Sequence, residues 1–125
     1  MFSLFKKKKC EPTLAQQKLN KLWDLYASGE LEKQNADIFV LCEYESGING
    51  EGHSGFFFNN EAHLSDYHET LVRALPADLR DNFERAYQSY GTDAEDDTCD
   101  TADSYFYAHE QGLIDILQDY AHTLQ

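Results

Sequence analysis

Apolar side chains recur at every third or fourth position through four separate segments of this chain. In the last segment, Leu113, Leu117, Tyr120 and Leu124 fall on one face of a helix. Three earlier segments repeat this spacing, at Ala15, Leu19, Leu22 and Tyr26, at Leu64, Tyr67 or His68, Leu71 and Leu75, and at Leu79, Phe83, Tyr87 and Tyr90. With two Val and four Ile among 125 residues, the chain holds little of the β-branched material that sheets favour. The spacing therefore predicts an all-α fold, a compact single domain of about five or six helices.

The N-terminal residues differ in composition from the rest of the chain. Residues 1–11 contain four consecutive lysines, Lys6 to Lys9, and we expect a basic flexible tail there, followed by a single helical domain over residues 12–125. The alternative is a weak contact of the tail with a membrane surface. The charges follow the first apolar residues, which is the wrong order for a secretory signal, and no apolar run is long enough to span a bilayer. We therefore expect a cytoplasmic protein without membrane association.

The segment of residues 30–45 is ambiguous. Its run IFVLC, residues 38–42, fits either a buried strand or a buried helical turn. The residues before it are good helix formers, which favours a helix. Thr13 is expected to begin the helix that precedes this segment, and Gly29 to end it.

A glycine-rich stretch, NGEGHSGFFFNN, occupies residues 49–60. Gly50, Gly52 and Gly55 match the dinucleotide fingerprint G-x-G-x-x-G. That motif must directly follow a strand, and a second strand must come after the helix that it opens. Residues 61–75 have helical spacing instead, and the surrounding charge is negative, which opposes a pyrophosphate. We therefore interpret the glycines as a turn.

The three phenylalanines after this turn, Phe56, Phe57 and Phe58, are expected to enter the core. Asn59 or Asn60 would then cap the following helix, since asparagine is a favoured N-cap residue.

The net charge of −13 is unevenly distributed along the chain. Residues 1–35 have seven basic and four acidic side chains, and residues 36–90 have three basic and ten acidic ones. Residues 91–125 contain nine acidic residues and neither Lys nor Arg. Such a field repels nucleic acid and anionic lipid and attracts basic partners. The alternative is that the charge serves solubility alone.

The acidic loop and the last helix provide the candidate partner-binding residues. These are Asp93, Glu95, Asp96, Asp97, Asp100, Asp103, Asp115 and Asp119. Calcium is an alternative ligand for this loop, but an EF-hand beginning at Asp93 would need glycine at Thr98 and glutamate at Ser104. The EF-hand pattern therefore fails, and loose binding of Ca²⁺ by the aspartates stays open.

No pattern in the sequence predicts catalysis, a cofactor or a metal. His63 and His68 are five residues apart, so they point to different sides of a helix, and neither H-E-x-x-H nor E-x-x-H occurs. The three cysteines, Cys10, Cys42 and Cys99, are odd in number and far apart, as is typical of reduced thiols. We predict that the protein is not an enzyme, with a catalytic site near His53 as the alternative.

The glycine–aromatic stretch resembles the signature of a bacterial family of unknown function that includes a DNA-mimic protein. That signature reads Asn-Gly-Gly, an aromatic residue or His, any residue, Gln, two aromatic residues, any residue and Asn. The run GEGHSGFFFN matches it at Gly52, His53, Phe56, Phe57 and Asn59, whereas Gly50, Glu51 and Gly55 depart from it. The resemblance extends over residues 36–124. It implies an all-helical acidic domain and, for at least one member, binding to a transcription factor in place of DNA.

These observations favour a small acidic interaction protein without catalytic activity. The first hypothesis is a DNA-mimic-like or immunity-type binder or inhibitor of a basic protein, which could be one that itself binds nucleic acid. The alternatives are an accessory protein that binds through aromatic side chains and an enzyme with a site near His53. No cofactor and no direct contact with nucleic acid are expected, and a homodimer stays open.

Overall fold

The computed structural model describes residues 11–125. The basic tail predicted for residues 1–11 therefore lies outside the described residues, apart from Glu11. The described chain contains no strand, which confirms the predicted all-α single domain. Its seven α-helices are α1 (Leu14–Ser28), α2 (Glu30–Gln34), α3 (Ala36–Asn59), α4 (Leu64–Ala74), α5 (Ala77–Ser89), α6 (Glu95–His109) and α7 (Gln111–Ala121), with a 3-10 turn at Glu61–His63 before α4.

The first helices begin and end at the predicted signals. The Thr13 side chain accepts a hydrogen bond from the backbone N–H of Gln16, and the Gln16 side chain accepts one from the backbone N–H of Thr13. This reciprocal capping box satisfies two N–H groups that a helix start leaves free. α1 ends at Gly29, and the ambiguous segment of residues 30–45 is helical. Asn35 separates α2 from α3, and its side chain accepts the N–H of Ile38.

Helix α3 bends sharply at Gly52. This residue has φ 73° and ψ 179°, a combination that is open essentially only to glycine, while its neighbours on both sides are helical. The predicted turn is therefore one residue inside a bent helix, and Gly50 and Gly55 keep helical backbones. The bend brings the end of α3 against the middle of the same helix. Phe56 then packs over Gly47, where an added Cβ would lie 2.7 Å from its ring.

Two predictions for the end of α3 are wrong. Phe56 and Phe57 are buried, but Phe58 is 71% exposed. A short helical segment buries only one face, so three consecutive phenylalanines cannot all reach the core. Neither asparagine side chain caps the next helix. Asn59 donates to Glu51, and Asn60, which precedes the 3-10 turn, donates from its side chain and its backbone N–H to the Phe56 carbonyl at the end of α3.

The core is centred on Tyr44 of α3. Its ring has no exposed surface, and the rings of His53, Phe56, Phe83 and Phe106 lie against it edge-on, with centroids 5.4 to 5.5 Å away. Edge-to-face pairs add about 0.5–1.5 kcal/mol each to the burial of their area. α6 packs on α3 and α5, and α7 packs on α1 and α3. Every helix within residues 11–125 is too short or too polar to span a bilayer.

Candidate functional site

Helix α6 begins with an acidic turn formed by Glu95, Asp96 and Asp97. The positive end of a helix dipole favours carboxylates at this place. Glu95 accepts hydrogen bonds from the backbone N–H of Gly91 (2.9 Å) and from the Ser54 hydroxyl (2.8 Å). These bonds, the one from Gly91 first, lower the pKa of Glu95. Glu95 therefore ties the start of α6 to α3.

Four other predicted residues form an exposed surface that we call the α6 acidic face. It consists of Asp93, Asp96, Asp97 and Asp100, and all four are exposed. Asp100 lies three residues after Asp97 and four after Asp96, which puts the Cβ atoms about 5–6 Å apart. None of the ion pairs formed among residues 11–125 includes any of the four. Within residues 11–125, the basic group that lines a cleft together with Asp97 is Arg85, which forms no ion pair with it.

Asp103 lies in the same helix but points elsewhere. Sequence spacing predicts that it continues the row of Asp96 and Asp100, yet its carboxylate turns toward α3 and is 22% exposed. Its Oδ1 atom accepts the backbone N–H of His53 at 2.8 Å and lies 2.6 Å from Nδ1 of the same residue. Asp103 therefore holds the residue that directly follows the bend at Gly52.

The His53 ring links Asp103 to Tyr44 inside the core. An ionised carboxylate can only accept hydrogen bonds, so Nδ1 carries a proton and donates to Asp103. In the neutral ring Nε2 then accepts the Tyr44 hydroxyl, 2.7 Å away. Burial, and after it the charge of Asp103, raises the pKa of Tyr44 well above its ordinary value. The three side chains thus form a satisfied polar network in an aromatic core.

This network resembles an acid–base triad in composition, but its histidine has no contact with solvent. The His53 side chain is 0% exposed, and both ring nitrogens are occupied. A general base must come within hydrogen-bond reach of the proton that it abstracts.

The two cysteines of the described chain are buried and free, and burial raises the pKa of Cys42 to about 12, which opposes thiolate formation.

The five residues that match the family signature all lie at the bend. Gly52 makes the bend, and His53, Phe56 and Phe57 are buried behind it. Asn59 is exposed, and its side chain donates to Glu51. Four of the five therefore build the core next to α6, which is a structural role.

Helix α7 carries the last two predicted residues, Asp115 and Asp119. Both are exposed, and the Gln111 amide donates to Asp115 at 2.9 Å. α6 and α7 both pack on α3, and each has one further neighbour of its own, α5 for α6 and α1 for α7.

Glu110 lies between α6 and α7, and the sequence did not predict a role for it. The Asn49 amide donates to both Glu110 (3.2 Å) and Glu45 (2.9 Å). Burial, and after it the charge of Glu110, raises the pKa of Glu45. Because the pKa of Glu45 is higher in the folded protein, the folded state binds more protons than the unfolded state. The contribution of Glu45 to the free energy of unfolding therefore falls as the pH rises above the ordinary carboxyl pKa.

Replacing Glu110 with glutamine is therefore expected to stabilise the protein at neutral pH. The change removes a like charge near Glu45 and leaves an oxygen for Asn49, and we expect a gain of about 0.5 kcal/mol at pH 7. Urea unfolding at pH 7 and pH 3.5 measures it. The gain should vanish at pH 3.5, where carboxyl groups are mostly protonated. An equal change at both pH values would contradict the electrostatic explanation.

The surface of residues 11–125 includes clefts that were not predicted, because each combines residues from different helices. One, of about 320 Å³, lies between α5 and α6 and is lined by Arg85, Asp97 and Tyr105 among others. Another, of about 300 Å³, is bordered by α2, α3 and α4. Within residues 11–125, no three His, Cys, Asp or Glu side chains are arranged to hold a metal ion.

Comparison of the chain with protein-family models, with curated proteins and with solved structures finds no match.

Proposed function

We propose that this chain is a small, non-catalytic interaction protein that binds a basic protein through its α6 acidic face. A DNA-mimic-like or immunity-type inhibitor is the form that we favour, and a nucleic-acid-binding protein is the preferred partner class. We expect it to act in the cytoplasm.

The observation that carries this proposal is the row of exposed carboxylates at the start of α6. Residues 91–125 hold nine acidic side chains and no Lys or Arg, and the four residues of the α6 acidic face form no ion pair with residues 11–125. Like charges at helical spacing cost a helix a few tenths of a kcal/mol per pair. A basic partner would convert that repulsion into attraction and would speed association.

The spacing of these carboxylates supports mimicry of nucleic acid. Duplex DNA presents one negative charge per about 1.7 Å of its axis, summed over both strands, or about 3.4 Å along one strand. A rigid helix with carboxylates about 5–6 Å apart approaches the density of one strand. Glu95 and Asp103 add rigidity, because their side chains fasten α6 to α3 at both ends of this face.

The surroundings of His53 support a non-catalytic role. Its ring is packed against Tyr44, Phe57 and Phe106 and has no exposed surface. An enzyme with a site near His53 would need this core to open before substrate could enter. We therefore place that alternative behind an interaction role.

A second candidate function is binding through exposed aromatic side chains. Phe58 is 71% exposed and Tyr107 is 50% exposed, whereas the other phenylalanines of the bend are buried. Exposed aromatic rings are common anchors of protein interfaces. A complex made this way would be insensitive to salt.

The test is a pull-down from a bacterial lysate at low salt with the full chain as bait, followed by elution with short duplex DNA. We expect a basic protein to be retained and DNA to release it, because both ligands would compete for one basic surface. Retention that DNA does not reverse, but that a Phe58→Ser variant abolishes, would favour the aromatic surface. Retention of no basic protein would contradict the proposal.

A further inference from the structure

The cleft bordered by α2, α3 and α4 combines negative charge with an apolar wall. Glu32 and Asp66 stand at its exposed rim, and Phe39, Val40 and Tyr67 form its inner wall. Its volume of about 300 Å³ is at the lower limit of small-molecule pockets. It therefore suits one side chain better than a cofactor.

Within residues 11–125, the basic side chains nearest to this cleft in sequence are paired elsewhere. Lys33, beside Glu32 in sequence, pairs with Glu30, and Arg73 of α4 pairs with Asp37. Neither Glu32 nor Asp66 takes part in an ion pair among residues 11–125. The one basic group that lines the cleft is His63, whose ring stacks on Tyr67 with centroids 5.8 Å apart.

The hydroxyl of Tyr67 lies within this negative field. Burial raises the pKa of Tyr67, and the charges of Glu43 and Glu32 raise it further. Glu43 is itself held by the Tyr26 hydroxyl. The Tyr67 oxygen is thus a hydrogen-bond acceptor under the influence of two carboxylates, Glu43 and Glu32, which is a favourable environment for a donor with positive charge.

From this arrangement we propose that the cleft binds an arginine side chain of a partner protein. The guanidinium would lie between Glu32 and Asp66, within reach of the Tyr67 hydroxyl, and its alkyl stem would lie along Phe39 and Val40. A planar group with five N–H donors can satisfy acceptors on several sides, which a lysine ammonium does less well. This site is separate from the α6 acidic face and does not depend on the function proposed for that face.

The test uses a small probe, so that no partner has to be known. The full ¹⁵N-labelled chain is titrated with N-acetyl-arginine amide at pH 8, where free imidazole is neutral. The matched probe is N-acetyl-citrulline amide, which has nearly the same shape and no charge. We expect saturable shifts at the amides of His63, Tyr67 and Thr70 with the arginine probe and none with citrulline.

Variants of the rim provide the second measurement. Glu32→Gln with Asp66→Asn should weaken the arginine probe about tenfold, equivalent to ~1.4 kcal/mol. The matched control, Glu11→Gln with Asp24→Asn, removes the same charge from exposed positions outside the cleft and should change affinity less than about twofold. Equal shifts with citrulline, or equal losses in both double variants, would overturn the proposal.

A third titration distinguishes a partner side chain from a free polyamine. If spermidine shifts the same amides at lower concentration than the arginine probe, the occupant is a small soluble amine, and the proposal is wrong. The titrations contain no partner protein, so they test the cleft alone, and the pull-down tests the α6 acidic face. Either experiment can fail without changing the result of the other.

Discussion

Replacing Gly52 with alanine is expected to lower the free energy of unfolding by about 3–5 kcal/mol. Gly52 has φ 73° and ψ 179°, and a side chain in this region costs about 1–3 kcal/mol. An added Cβ would also lie 2.4 Å from Oδ2 of Asp103. Moving that carboxylate would weaken its two hydrogen bonds with His53, and bonds to charged groups contribute about 1.5–3 kcal/mol each. This is a large part of the stability of a small domain.

The matched control is Gly50→Ala, two residues earlier in the same helix. Gly50 is helical, and an added Cβ would meet nothing within 4 Å. Alanine is better than glycine in a helix by up to about 1 kcal/mol, so this variant should be neutral or more stable. Urea unfolding, followed by far-UV circular dichroism, compares the two. A Gly52→Ala variant as stable as Gly50→Ala would show that the bend at Gly52 is dispensable.

Replacing Asp103 with alanine is the second change with a large expected effect. It leaves the backbone N–H and the ring N–H of His53 without their protein acceptor, and the His53 ring has no exposed surface. We expect a loss of about 3–4 kcal/mol. Asp103→Asn keeps an oxygen at this position and removes the charge, so it should lose about 1–2 kcal/mol.

Asp100→Ala is the matched control for Asp103, because both aspartates lie in α6 three residues apart. Asp100 is exposed and has no ion pair among residues 11–125, so its replacement should change stability by less than about 0.5 kcal/mol. Adding Tyr44→Phe to each Asp103 variant completes a double-mutant cycle through His53. Equal stability of the Asp100 and Asp103 alanine variants would mean that the network contributes nothing.

The predictions that the structure confirms concern local features of the sequence. The capping residue Thr13 and the end of α1 at Gly29 depend on interactions within a few residues, and so does the helical identity of residues 30–45. The count of five or six helices was slightly low, because Asn35 divides a continuous helical pattern into α2 and α3. Local rules recover such features since a helix closes its hydrogen bonds over four residues.

The features that the sequence could not predict join residues far apart in the chain. His53 and Asp103 are fifty residues apart, and nothing in their spacing distinguishes the inward carboxylate of Asp103 from the outward one of Asp100. Helical spacing places Asp100 and Asp103 in one row. Because both residues are aspartate, the sequence does not indicate which of the two carboxylates faces α3. The cleft of Glu32 and Asp66 is non-local in the same way.

In our proposal, the position of the carboxylates on α6, and not net charge alone, creates the binding surface. The most direct test compares the affinity of three proteins for the captured partner at two salt concentrations. They are the native chain, the α6 variant Asp96→Asn, Asp97→Asn, Asp100→Asn, and the control Glu11→Gln, Asp24→Asn, Glu69→Gln. Both variants lose three negative charges from exposed side chains.

We predict that the α6 variant binds at least about tenfold more weakly and shows a flatter salt dependence, because the partner's basic groups lose their nearest carboxylates. The control should stay within about twofold of the native chain. Equal weakening of both variants would contradict the claim, since affinity would then follow total charge. Unchanged affinity of the α6 variant would place the binding surface elsewhere.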